Sequence, residues 1–156
     1  MSETIEGARG ELYRFAKGAK SWFFSYINDD KDIMQWTPPD GGRSGSDIVS
    51  HVSWVLSATS MKIAEDLNIK IEASLDDSDP YVEHLKAEFD TAYNMFEQLV
   101  KGMSDDDLKK KTTLPPPARI QESSIERILR IMAGYHVLHH AGQLALTIRR
   151  AKNDLE

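Results

Sequence analysis

Apolar residues recur three and four positions apart along most of the chain, the spacing of one face of an α-helix. Ile5, Ala8, Leu12, Phe15, Ala16, Ala19, Phe23, Tyr26 and Ile27 form the first stripe and predict a helix over about residues 3–28. Gly7, Gly10 and Gly18 weaken it on propensity grounds, so packing has to hold it together. Ser46, as N-cap, and Asp47, as a first-turn charge, open a second stripe of Ile48, His51, Val52, Val55, Leu56, Thr59 and Ile63. An acidic stretch at 75–79 follows, where Asp79 and Pro80 have the form of an N-cap and a first-turn proline. Val82, Leu85, Phe89, Ala92, Phe96 and Leu99 mark the third helix. Ser123 and Glu126 have capping-box spacing. They introduce a fourth stripe, Ile125, Ile128, Leu129, Met132, His136, His140, Gln143 and Thr147, on a helix reaching about residue 152.

Two long connections separate these stripes. Residues 28–45 hold Pro38 and Pro39, several glycines and no period; residues 104–117 hold a charged run and Pro115, Pro116 and Pro117, with room for a short helical turn over 105–109. No segment has the alternation of a strand, and no repeat of fixed period appears. The expectation is an all-α single domain spanning residues 1–156: a four-helix bundle with long crossover connections.

Composition narrows the chemistry. With no cysteine, disulfides, thiolate metal sites and cysteine nucleophiles drop out, and a reducing, cytoplasmic setting is expected. The first residues lack the apolar run of a secretion signal, and no segment approaches the roughly 20 apolar residues of a membrane span. A formal charge of -6, from 25 acidic and 19 basic residues, argues against nucleic acid or an anionic membrane as partner. Arg149, Arg150 and Lys152 are the best candidate for a local basic patch, and they also stand where cations complement a helix dipole.

The histidines carry the candidate chemistry. His136 and His140, four apart, project from one side of a helix, as paired helical ligands of zinc and similar ions do, while His51 interrupts the apolar stripe of another helix. A buried imidazole without partners costs roughly 1–3 kcal/mol, and one divalent ion would satisfy all three. Three neutral imidazoles leave a tetrahedral ion one ligand short, the mark of a catalytic rather than a closed structural site. His139 is an alternative partner but is turned about 100° from His140, and His84, between Glu83 and Lys86, reads as a surface residue. His51 lies early in its helix, so the site should face the 28–45 connection, where Met34, Trp36, Pro38 and Pro39 would make an apolar wall or lid; Trp36 could equally pin the loop to the bundle. Asp47 is a candidate acceptor behind His51 or only a helix-start charge, and Gln143 a candidate hydrogen-bonding group or only a packing residue. No general base can be placed.

The run His136-Val-Leu-His-His140-Ala-Gly-Gln143, with its basic end at Arg149 and Arg150, resembles the last-helix signature of the DinB-like, damage-inducible superfamily; Ser46-Asp-Ile-Val-Ser-His51-Val resembles that family's first-ligand helix. The resemblance implies a four-helix bundle, often dimeric, with His51, His136 and His140 on a divalent ion, commonly zinc or nickel. It implies relatives that are thiol transferases using mycothiol or bacillithiol, isomerases of maleylpyruvate type, or protein-processing or regulatory members. The reading is a metal-dependent enzyme of thiol S-transferase or hydrolase type, acting on a small molecule such as a low-molecular-weight thiol, with Trp22, Trp54 or the apolar excess on the fourth helix as the expected homodimer surface. The alternative is a metal-binding or interaction bundle without catalysis.

Overall fold

The computed structural model describes residues 4–73, 81–115 and 120–156. The helix start at Asp79 and Pro80, and Pro116 and Pro117 of the second crossover, lie outside the described residues. The helices are α1 (Gly7–Phe24), α2 (Lys31–Gln35), α3 (Gly45–Asp66), α4 (Tyr81–Gly102), α5 (Ile125–Arg130) and α6 (His136–Leu155). A π-helical turn, Ile131–Tyr135, joins α5 to α6, so the two run on as the fourth long helix. With α1, α3 and α4 it forms the expected all-α bundle, in which α3 packs most extensively on α4 and both α1 and α3 pack on α6. The core runs through Leu12, Phe23, Leu56, Ile63, Phe89 and Phe96, with the Phe23 and Phe89 rings 4.8 Å apart.

Both crossovers contain structure that periodicity does not register. α2 is a single turn, capped by the Asp30 carboxylate, which accepts from the Asp32 N–H at 2.9 Å and the Ile33 N–H at 3.5 Å. In the second crossover a 3-10 turn, Asp106–Lys109, falls where a short turn was expected. It leads into a two-residue antiparallel pair, β1 (Lys111–Thr112) with β2 (Ser123–Ser124), too short for alternation to announce.

Helix starts differ from the pattern for local reasons. α1 begins at Gly7, whose φ of +69° glycine adopts freely. Its cap comes from across the fold: the Asp105 carboxylate accepts from the Ala8 and Arg9 N–H groups at 3.4 and 3.2 Å. α3 is capped by Ser44, not Ser46. Ser44 Oγ accepts from the Asp47 N–H at 3.1 Å and Asp47 accepts from the Ser44 N–H at 3.4 Å, a complete capping box. Ser46 instead donates to the Met34 carbonyl at 2.9 Å, tying α2 to α3. In α5 the cap is Ser124, which accepts from the Arg127 N–H at 3.2 Å, while Glu126 pairs with Arg130 at 3.1 Å.

Candidate metal centre

His51 stands in the second turn of α3, His136 is the first residue of α6, and His140 follows one turn later. The π turn sets their direction. The His136 N–H donates to the Ile131 carbonyl five residues back, so the turn holds one residue more than an α-helix would. Up to Met132 the buried face follows the sequence stripe; beyond it the most buried residues are Val137, Ala141, Leu144 and Ala151, one position later than the stripe through His136, Gln143 and Thr147. The extra residue therefore moves His136 from the centre of the core to its edge, half-buried like His51, and leaves Gln143 exposed, while His140 stays buried. Met132 does share the buried side, as expected.

Two tertiary contacts hold the turn. Gly134 lies against Phe15 of α1 so closely that a Cβ there would come within 2.8 Å of three ring atoms. The hydroxyl of Tyr93, on α4, donates to the Ala133 carbonyl at 2.9 Å, and burial pushes that phenol's pKa up, so it stays a donor. Neither contact had a signal in the periodicity.

The three imidazoles converge. His51 Nε2 is 3.3 Å and His140 Nε2 3.1 Å from His136 Nε2, and a set of ligand atoms from the three residues lies within 4.8 Å. The group contains only histidines, with no carboxylate joining it among the described residues. His140 Nδ1 donates to Gln143 Oε1 at 2.6 Å, so a neutral His140 directs its bare Nε2 into the cluster. His136 Nε2 then faces two other nitrogens. As a donor it satisfies only His140; as an acceptor from His51 it sets its lone pair against that of His140. One neutral imidazole cannot satisfy both contacts. Its Nδ1 is also buried with no partner.

A divalent ion fits this donor set. Metal–nitrogen bonds of 2.0–2.1 Å at a tetrahedral angle place ligand nitrogens about 3.3 Å apart, close to both short separations. Protonation also favours it. Burial first, then the neighbouring imidazoles, lowers the His136 pKa to about 4; burial, opposed by the Gln143 hydrogen bond, lowers that of His140 to about 4. His51 is lowered by burial and by Arg43. Neutral imidazoles are the form that ligates.

Other sequence candidates find different places. His139 is exposed, its ring 5.0 Å from that of His140, and it is outside the converging set. His84 is half-buried on α4 rather than fully on the surface, also outside that set. Asp47 belongs to the α3 capping box. Gln143 does take a hydrogen-bonding position, behind His140. The first crossover reaches the site, but not as an apolar lid. Met34 is fully buried, and Trp36 is fixed to α6 by its indole N–H, which donates to Asp154 at 2.7 Å, and by Arg150 stacked 5.6 Å from its ring. Pro39 is exposed; Pro38 is buried and, with Asp40 and Arg43, borders a cleft beside Gln143. The α6 cations are thus partly engaged: Arg150 also pairs with Asp40 at 3.5 Å.

No helix among the described residues is long and apolar enough to cross a membrane. Searches of curated proteins and of solved structures return no match. A family model does match, over residues 21–144, which spans His51, the π turn, His136 and His140. The chain belongs to the DinB superfamily.

Proposed function

We propose that the protein binds one divalent ion, zinc or nickel, through His51, His136 and His140, and is a metal-dependent enzyme of thiol transferase or hydrolase type. The observation that carries this reading is the convergence of three imidazoles, His136 Nε2 lying 3.3 Å from His51 Nε2 and 3.1 Å from His140 Nε2, with no carboxylate in the group. Such a set supplies three neutral donors and leaves one tetrahedral position for another ligand. With an ion bound, the site supplies Lewis acidity that lowers the pKa of a thiol or water taking that position. His140 is oriented by Gln143, which keeps its proton on Nδ1 and Nε2 free to ligate. His136 is held by the backbone, through the π turn and its contacts with Phe15 and Tyr93. A thiol ionised at the metal needs no further base to become a nucleophile, so the three-histidine set, which among the described residues includes no carboxylate, suffices for thiol chemistry.

The test is a screen of tag-free, metal-loaded protein for transfer of small thiols to activated electrophiles and for ester and amide hydrolysis. Turnover should rise with metal content and vanish in His51→Ala. One ion bound per chain with no turnover above the metal-free protein would leave the second reading, a metal-binding bundle without catalysis. Trp54, Met61 and Leu146, exposed on the two site-bearing helices, favour a homodimer, which light scattering at the mass of one chain would remove.

A further inference from the structure

Beside the three histidines lies a cleft of about 480 Å³, bordered by the first crossover on one side and by α3 and α6 on the other. Its polar lining is Asp40, Arg43, Gln143, Thr147 and Arg150. Gln143 is shared with the histidines, since its Oε1 accepts from His140 Nδ1 at 2.6 Å. Ile48, which also lines the cleft, precedes His51 by three residues, and Gln143 follows His140 by three. On both helices that is about 4.5 Å of rise, so the cleft begins within one turn of the histidines.

The cleft's charges are unequally engaged. Arg150 faces Asp40 at 3.5 Å and stacks on Trp36, so it has both a counter-charge and a fixed place. Arg43 has no ion-pair partner among the described residues. It follows a tight turn, closed by the Gly41 N–H donating to the Pro38 carbonyl at 3.1 Å with Gly41 at φ +88°, that brings the chain back over α3 and α6. Ile48, Leu146 and buried Pro38 complete the walls with apolar surface. A cation with no ion-pair partner among the described residues, set in a partly apolar cleft one turn from an open coordination position, is the complement of a small organic anion.

We propose that this cleft seats a carboxylate of the substrate, paired with Arg43, while a second atom of the same molecule occupies the open metal position. The inference rests on the metal-centre reading and adds the substrate class: a short molecule with a metal-binding head and an anionic tail about one helical turn away.

The test uses cobalt-loaded, tag-free protein and two probes of equal length, 3-mercaptopropionate and 3-mercaptopropanamide. Each is titrated at low and high salt, and the thiolate-to-cobalt absorption band is followed. On binding, the thiol proton goes to buffer and the sulfur takes the open position. The quantity read is the acid-to-amide affinity ratio, compared between wild type and Arg43→Gln so that the intrinsic difference between the thiols cancels. That ratio should fall about 2–5-fold in Arg43→Gln, the size of an exposed ion pair. The wild-type advantage should shrink in high salt, and Arg43→Lys should retain part of it. An unchanged ratio in Arg43→Gln, with the band present, overturns the inference and leaves the metal centre standing. One cobalt bound per chain with no band from either thiol overturns the thiol reading of the centre and this inference with it.

Discussion

Gln143→Leu isolates what the group behind a ligand does. In the wild type, Gln143 Oε1 accepts from His140 Nδ1 at 2.6 Å, fixing the tautomer that ligates through Nε2 and making that nitrogen more basic. Leucine keeps the size and removes the acceptor. Loss of such a partner costs about 10–100-fold in metal affinity. Which end of that range applies is set by solvent. His140 is only 6% exposed, but Gln143 itself is exposed, so water can take over part of the lost bond. The expected loss is therefore about tenfold, or about 1.4 kcal/mol. Gln143→Glu should act in the opposite direction, because a carboxylate is a stronger acceptor and raises the basicity of the ligand further. The assay is competition for zinc between the protein and a chromophoric chelator at neutral pH, with the fold checked by circular dichroism. Wild-type affinity in Gln143→Leu, or weaker binding in Gln143→Glu than in Gln143→Leu, would refute the reasoning.

His51→Ala, His136→Ala and His140→Ala should each abolish tight zinc binding in the same competition assay, whereas His84→Ala and His139→Ala should not; a loss in His84→Ala equal to the others would refute the assignment. In metal-free protein, His136 and His140 have pKa values of about 4 when folded, against about 6.5 when unfolded. The unfolded chain thus takes up their protons first, so stability is full above about pH 6.5, declines as the pH falls towards 4 and levels off below it. Urea midpoints measured between pH 7.5 and 4.5 should show this decline, and a flat profile would contradict the buried neutral imidazoles. Gly134→Ala forces a methyl group against the Phe15 ring and should lower stability by about 1–3 kcal/mol, as overpacking does. It should also weaken zinc binding, since His136 follows two residues later; wild-type melting and affinity would show that the turn does not depend on that contact.

The four long helices were legible because each buries one face, and burying one face imposes a period that residues such as Leu12, Leu56, Phe89 and Ile128 display. The three histidines were legible from helical spacing, although His51 and His136 are half-buried at the edge of the core rather than on the fully buried face. What the period could not reveal was a change of period. The π turn inserts a residue between Met132 and His136, and its supports, Gly134 against Phe15 and Tyr93 on Ala133, come from other helices. The α1 cap at Asp105 is equally remote in sequence. Local competition explains the other differences. Ser44 and Ser46 are both good caps, and the choice went to the one with Asp47 three residues on. Arg43 had no sequence signal, because an exposed arginine in a glycine-rich loop acquires its neighbours only when the loop folds back.

The metal content of tag-free protein tests the central claim most directly. Loaded with zinc or nickel, desalted and analysed for metal, the wild type should carry one ion per chain, and His51→Ala essentially none. A wild-type content well below one ion per chain, not restored by adding either metal, would contradict the three-histidine site.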